Sequence, residues 1–163
     1  MEDQSISGAG PPESILATRS QTNLPVRILV VEDDIKIQQS SSSVLRRSGY
    51  HVDTAEDGAD AWEALQASPY DLLITDNTMP KMSGIELVKL VRSAQMKLSV
   101  VMASGTIPAE ALNGDSSLRL AATLVKPFTM QELVGTVEKV LRATEVASRP
   151  YCLLSGDGRG QSI

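Results

Sequence analysis

The sequence predicts an α/β fold in which helices cover both faces of a doubly wound, five-stranded parallel sheet. Three observations lead to this prediction. Strand-sized apolar runs alternate with segments of helical periodicity through the middle of the chain. The connections between them are short, which favours right-handed crossovers between parallel strands. The apolar runs are nearly continuous rather than alternating, as expected of strands that are buried on both faces.

Five runs of five or six residues, rich in apolar and β-branched side chains and bounded by turn-forming residues, indicate the strands. They are too short for helices of typical length. In chain order the strands are Arg27 to Val31, His51 to Ala55, Leu72 to Asp76, Ser99 to Ser104 and Ala121 to Lys126.

Each predicted strand is followed by a segment that can form a helix. The last helix is the best defined, because Thr129 can cap its start and apolar residues then recur with i, i+3, i+4, i+7 spacing. Those residues are Met130, Leu133, Val134, Val137, Val140 and Leu141. The third helix shows the same pattern with Gly84, Leu87, Val88 and Val91. Both patterns are typical of amphipathic helices.

Two of the helices are predicted to be weaker. In the first, Ser40 and Ser41 occupy positions where an apolar face is expected, and serine favours caps over helix interiors. We expect that helix to be the loosest of the long ones. The fourth segment follows Ser104 and has a weak helical pattern that Gly114 interrupts. A short or mobile fourth helix is the expected result.

Composition indicates one domain with tails. The 163 residues with 42% hydrophobic content allow one substantial core and are too few for two. A formal charge of −5 and scattered Lys and Arg residues argue against direct nucleic-acid binding. Cys152 is the single cysteine, so no intramolecular disulfide can form. No stretch has the pattern of a signal peptide or a membrane span, and we expect a cytoplasmic protein.

The ends of the chain differ from its middle. Residues 1–25 are rich in Ser, Gly, Pro and Gln and lack a sustained period, which predicts a flexible N-terminal tail. Residues 145–163 turn polar and glycine-rich and are predicted to form a flexible C-terminal tail. The folded domain is therefore expected to span residues 26–144.

Polar side chains stand at the predicted carboxyl ends of the strands. Strand one ends in Glu32, Asp33 and Asp34, strand three in Asp76, strand four in Ser104 and strand five in Lys126. In open parallel sheets, ligands bind outside these ends, at the point where the strand order reverses. With strand order 2-1-3-4-5, strands one and three are neighbours at roughly 4.8 Å. Three acids, Glu32, Asp33 and Asp76, are therefore expected to form one cluster of negative charge.

This cluster favours a divalent cation. Carboxylates held close together repel one another, and a hard ion that prefers oxygen ligands relieves the repulsion. Mg²⁺ suits the site because it takes one or two carboxylates and keeps its other positions for water and phosphate oxygens. Lys126 would add a positive charge and Ser104 a hydroxyl, which completes a set of groups for handling a phosphoryl group.

Structural roles stay open for each of these residues. The acids after strand one could cap the first helix, as Asp34 is well placed to do. Ser104 alone would be an ordinary turn residue, and Lys126 before Pro127 could be a solvated lysine, although a Lys-Pro bond can also be cis and aim the side chain. The position of the whole set at one sheet edge favours function.

Four segments carry a resemblance to a known family. They are "ILVVEDD", "DLLITDNTMPKMSG", "VVMASG" and "LVKPF". In their order and separations they resemble the receiver domain of two-component response regulators, over about residues 26–144. The resemblance implies a flavodoxin-like (βα)5 fold with strand order 2-1-3-4-5.

The resemblance also implies a role for each site residue. Asp76 looks like the phosphoacceptor and Asp33 like a direct Mg²⁺ ligand. Glu32 would contact the ion through water, and the backbone carbonyl of Thr78 would complete the protein's share of the coordination. By the same likeness, Ser104 would turn to meet the phosphoryl group. Lys126 would pair with it.

A receiver would be a regulatory domain rather than an enzyme. It would accept a phosphoryl group from a histidine kinase or a histidine phosphotransfer protein and pass the signal on by changing conformation. Its implied partners are proteins, with no nucleic acid and no membrane, and a phosphorylation-dependent homodimer is an option. The chain would be a stand-alone receiver or a segment of a hybrid kinase.

One departure and two alternatives remain. Receivers usually carry Tyr or Phe three residues before the lysine, as a ring whose rotation reports phosphorylation, and here that position is Thr123. A pseudo-receiver that binds partners without phosphorylation would usually have lost an acid or the lysine, and neither is lost. A haloacid-dehalogenase-like phosphatase would need a second Asp two residues after the nucleophile, where Thr78 stands.

Overall fold

The computed structural model describes residues 24–113 and 117–148, in which five strands and five helices alternate. The elements are β1 (Arg27–Val31), α1 (Ile35–Arg47), β2 (His51–Ala55), α2 (Gly58–Ala67), β3 (Leu72–Asp76), α3 (Gly84–Ser93), β4 (Ser99–Ser104), α4 (Ala109–Leu112), β5 (Ala122–Val125) and α5 (Met130–Ser148). Four strands have the predicted bounds, and β5 is one residue shorter at each end than predicted.

All strand pairs are parallel, in the order β2-β1-β3-β4-β5. The predicted α/β class, parallel sheet and strand order are therefore confirmed. The register brings Val31 of β1 opposite Thr75 of β3, and Asp76 opposite Ala103 of β4. As a result, the carboxyl ends of the three central strands form one edge of the sheet.

The core consists of two hydrophobic clusters on opposite faces of the sheet. Strand residues contribute to them alternately, so Leu73 joins one cluster while its neighbours Leu72 and Ile74 join the other. The first cluster takes buried residues from α2 and α3, and the second from α1 and α5. Each fully buried aliphatic side chain contributes about 1.5–3 kcal/mol to folding, so this double layer fixes the strand ends that carry the site.

Side chains cap each of the four long helices through bonds to first-turn amides, with Asp57 accepting from the amide of Asp60 at α2. The carboxylate of Asp34 accepts hydrogen bonds from the amides of Lys36 and Ile37 at the start of α1. Ser83 and Glu86 form a capping box at α3. Thr129, as predicted, exchanges equivalent bonds with Glu132 at the start of α5. Such caps each contribute about 1 kcal/mol.

The serines of α1 are placed differently from the prediction. Ser41 and Ser42 are buried, whereas Ser40 is exposed. The hydroxyl of Ser42 donates to the carbonyl oxygen of Gln39, so a bond within the helix satisfies it. The buried face of α1 is thus one residue further along the helix than its sequence pattern indicated. Asp34 caps this helix, so it belongs to the fold rather than to the site.

The predicted weak fourth helix is indeed short, since α4 is a single turn of four residues. At the other end of the domain, α5 continues to Ser148, past the boundary predicted at residue 144. Residues 1–23 and 149–163, which make up most of the two predicted tails, lie outside the described residues. Within the described ranges, every helix is too short or too polar to cross a bilayer.

Candidate functional site

Three carboxylates meet at the carboxyl edge of the sheet, as predicted. Glu32 and Asp33 follow β1 directly and Asp76 ends β3, and one oxygen from each lies within 4.8 Å of the others. Glu32 and Asp76 are buried, with exposed fractions of 5% and 6%, whereas Asp33 is exposed. The cluster therefore combines two buried acids with one exposed acid, an arrangement that could hold a metal ion.

Lys126 joins two of these acids from β5's carboxyl end. Its Nζ donates to Glu32 Oε2 at 2.6 Å and lies 3.3 Å from Asp76 Oδ2. Burial lowers the pKa of Lys126, but the hydrogen bond and charge of Glu32, with the charge of Asp76, outweigh burial and raise it overall. The lysine is thus firmly protonated at the site. Its peptide bond to Pro127 is cis.

Glu32 is a buried acid that faces both Lys126 and the charge of Asp76. Burial raises the pKa of Glu32, and the bonds that it accepts from Lys126 and from the amide of Asp34 only partly offset this effect. The charge of Asp76 adds to the rise. One ammonium faces three carboxylates here, so the set keeps an excess of negative charge that suits a hard divalent cation.

The loop after Asp76 is folded back on the strand that it leaves. The amide of Thr78 donates to Asp76 Oδ1 at 3.3 Å. The carbonyl and side-chain oxygens of Asn77 accept from the amides of Gly84 and Ile85 at 3.0 and 3.1 Å. The exposed Thr78 therefore lies in a loop that is hydrogen-bonded at both ends, beside the cluster.

Ser104 ends β4, the strand next to β3, and is 3% exposed. Its hydroxyl accepts a hydrogen bond from the amide of Thr106 at 3.4 Å, which is long and leaves its proton free to be donated. Its carbonyl oxygen accepts from the amide of Lys126 at 2.9 Å. The two residues are thus linked through the backbone and stand together at the edge of the sheet.

Thr123, at the position of the usual aromatic ring, lies in β5 opposite Met102 and is exposed. Two further residues, Asp57 and Lys81, carried no predicted role. They form an ion pair of 2.9 Å between the start of α2 and the loop after Asp76. A lysine five residues after Asp76 and an acid at a helix start are weak signals in a sequence, because nothing in it indicates that they meet.

Comparison with protein families identifies the domain that carries this site. Residues 28–138 match the model described as "Response regulator receiver domain". The chain belongs to the receiver domain family. The match covers β1 from Ile28 onwards, the other four strands in full and every residue of the predicted site.

Curated relatives agree with this assignment. The chain is 42% identical over 118 residues to the response regulator receiver protein CpdR of Brucella abortus, which covers 72% of this chain and 98% of that one. It is 32% identical over 139 residues to the alkaline phosphatase synthesis transcriptional regulatory protein PhoP of Bacillus subtilis, covering 84% of this chain but 57% of PhoP. The chain thus spans nearly all of one relative and little more than half of the other.

Solved structures agree as well. The chemotaxis protein CheY4 of Vibrio cholerae is 33% identical and superimposes with a TM-score of 0.67, covering 72% of this chain and 99% of that one. The response regulator TrrA of Thermotoga maritima, solved in complex with Mg²⁺ and BeF, is 31% identical with a TM-score of 0.63, covering 71% of this chain and 98% of that one.

Proposed function

We propose that this domain accepts a phosphoryl group from a phosphohistidine onto Asp76 in a two-component phosphorelay. The main observation behind this proposal is the Asp76 carboxylate, which is buried at the sheet edge, close to two further acids and 3.3 Å from Lys126. A carboxylate in this setting is a nucleophile whose product charge is met by a fixed cation. Receiver domains as a family receive phosphoryl groups from histidine kinases, which supports the assignment.

Mg²⁺ is the proposed cofactor. Hard carboxylate oxygens that carry excess negative charge fit this ion, and TrrA was solved with Mg²⁺ and BeF. Asp33, Asp76 and the backbone carbonyl of Thr78 would hold it directly, and Glu32 would contact it through water. When bound, the ion would neutralise phosphoryl oxygens during transfer.

The chain's own residues supply the rest of the chemistry. An Asp76 oxygen attacks phosphorus, the phosphorus–nitrogen bond of phosphohistidine breaks, and its electron pair stays on the imidazole. Lys126 turns from the Asp76 carboxylate to a phosphoryl oxygen while keeping its bond to Glu32, which holds the ammonium in place. Ser104 donates its hydroxyl proton to another phosphoryl oxygen.

The domain is regulatory, and the proposed reaction serves signalling. Its donor would be a histidine kinase or a histidine phosphotransfer protein, its acyl phosphate would be hydrolysed with help from the same site, and its output would be a protein contact or a phosphorylation-dependent homodimer. The pseudo-receiver alternative has no support in the site, because Glu32, Asp33, Asp76 and Lys126 are all present and brought together. The cytoplasmic location expected from the sequence stays a prediction.

Phosphorylation by a small donor tests the proposal directly. The protein incubated with acetyl phosphate and Mg²⁺ should gain the mass of one phosphoryl group, and hydroxylamine should remove it, since the product is an acyl phosphate. Intact-mass spectrometry measures both steps. Removal of Mg²⁺ with a chelator should suppress this increase in mass. A protein that stays unlabelled with donor and Mg²⁺ in excess would exclude the phosphoacceptor function.

Asp33→Asn tests the proposed metal ligands. Loss of a direct anionic ligand should weaken Mg²⁺ binding by about 10- to 100-fold and slow phosphorylation at limiting Mg²⁺. In chelator, the variant should melt no lower than wild type, because one repelling charge has been removed from the cluster. Calorimetric titration and thermal unfolding measure the two effects.

Asp34→Asn is the matched control for that experiment. It removes the same charge from the neighbouring residue, and Asn caps helices about as well as Asp. It should therefore bind Mg²⁺ nearly as wild type does. Equal losses of affinity in both variants would indicate a general effect of charge and would place the ion elsewhere.

A further inference from the structure

The loop from Asn77 to Ser83, which carries Thr78, is attached to a neighbouring helix as well as to its own strand. Lys81 in this loop reaches Asp57, the residue that caps α2, with Nζ 2.9 Å from Asp57 Oδ2. The exposed fractions of the two side chains differ greatly, at 67% for Lys81 and 6% for Asp57. The contact thus joins an exposed loop to a buried anion.

Both oxygens of the Asp57 carboxylate are used. Oδ1 accepts from the amide of Asp60 at 2.9 Å and caps α2, while Oδ2 pairs with Lys81. The bond from Lys81 and the amide of Asp60 lower the pKa of Asp57, so the anion persists. Asp57 therefore fixes the start of α2 with one oxygen and the loop with the other.

The backbone of Lys81 gives an independent reason to assign its side chain a role. Its φ is +67°, in the left-handed region that glycine and asparagine adopt more readily than lysine. Lysine thus stands where the backbone disfavours it, and its ammonium is engaged in the ion pair with Asp57.

Packing beside the ion pair is tight on the same side of the loop. A Cβ atom on Gly58, the first residue of α2, would lie 2.8 Å from Met82 Cβ and 2.9 Å from the Met82 carbonyl oxygen. The segment after Lys81 therefore lies directly on the N-terminus of α2. At the strand end of the loop, Asn77 accepts hydrogen bonds from the amides of Gly84 and Ile85. Lys81 lies between these bonds and the Met82 contact, and it adds an ion pair to Asp57.

We propose that Asp57 and Lys81 are positioning residues for the phosphorylation site, and this inference rests on the proposed function. Their ion pair holds the loop against α2, and so sets where the carbonyl oxygen of Thr78 stands relative to Asp76 and Asp33. Neither residue touches the phosphoryl group. Their effect reaches the chemistry through the placement of a proposed Mg²⁺ ligand.

Lys81→Asn separates positioning from folding. Asn suits the left-handed backbone, so the change adds no backbone strain, and the melting temperature in chelator reports only the loss of the ion pair. Mg²⁺ affinity should fall by about two- to fivefold, the size of a solvated ion pair, with a matching drop in the rate of labelling by acetyl phosphate at limiting Mg²⁺. The direction is diagnostic, since removing a positive charge near an acidic cluster would by electrostatics alone tighten Mg²⁺ binding.

Two matched variants complete the experiment. Lys97→Asn removes the same charge from an exposed loop at the opposite edge of the sheet and should leave Mg²⁺ affinity unchanged. Lys81→Arg keeps the charge and should restore most of the affinity. Wild-type protein that binds no Mg²⁺ would overturn the proposed function and this inference together. Wild-type binding with equal or tighter binding by Lys81→Asn would overturn the inference alone.

Discussion

Asp76→Asn should abolish phosphoryl incorporation from acetyl phosphate while the domain stays folded. The amide has no anionic oxygen to attack phosphorus, so the loss should be complete, with no residual slower reaction. Asn is nearly isosteric with Asp, and the neighbouring β3 and β4 residues that pack the core are untouched. Intact-mass spectrometry of the Asn variant after long incubation measures the loss.

The surrounding acids make this a demanding test. Asp33 and Glu32 lie within 4.8 Å of Asp76, and either could accept a phosphoryl group if reactivity depended only on charge near a lysine. We expect neither to substitute, because Lys126 is bonded to Glu32 and Asp33 is exposed to water. The Asp34→Asn variant, with the same change of charge, should label as wild type does. Labelling of Asp76→Asn to the wild-type level would place the phosphoacceptor elsewhere.

Most of the site could be predicted from the positions at which the apolar runs of the sequence end. Asp76 and Ser104 end two buried strands, and Glu32 follows a third, so a parallel sheet in the predicted order must bring them to one edge. The structure places them there, together with Lys126. This part was predictable because strand ends depend on local pattern, and sheet order then fixes their neighbours.

Contacts between loops were not predictable in the same way. The Asp57–Lys81 pair joins residues 24 positions apart in segments that carry no periodicity, and it exists only because α2 and the loop after β3 pack together. The buried serines of α1 show a second limit. The sequence pattern pointed to Ser40 and Ser41, but the structure buries Ser41 and Ser42, because the rotation of the helix against the sheet is a property of the packed core.

Gly84 packs so closely against the backbone of Asp76 that both the fold and the site depend on its lack of a side chain. It begins α3 and lies against the end of β3, and its amide donates to the carbonyl oxygen of Asn77. A Cβ atom added there would overlap the carbonyl oxygen of Asp76 and would lie 2.9 Å from Asn77 Cα and 3.0 Å from Asp76 C. All three are backbone atoms, so no side-chain rotation can make room.

Gly84→Ala should consequently destabilise the domain by about 2–3 kcal/mol, at the upper part of the range for overpacked sites. That is a large part of the typical stability of a domain, and it corresponds to a fall in melting temperature of about 10 °C or more. The backbone of Asp76 must shift to admit the methyl group. Labelling by acetyl phosphate should therefore be slower than in wild type even at temperatures where the variant is fully folded. Urea unfolding and labelling rates measure the two effects.

Gly135→Ala provides the control of opposite sign. Gly135 lies inside α5, and a Cβ atom there would have nothing within 4 Å. The alanine should stabilise the domain by about 0.5–1 kcal/mol through helix propensity and leave the labelling rate unchanged, because α5's interior is remote from Asp76 in the chain and carries no site residue. If Gly84→Ala unfolded at the wild-type urea concentration, the close approach of α3 to β3 would not be a constraint on the fold. If it were destabilised but labelled at the wild-type rate, the position of the Asp76 backbone would not limit the chemistry.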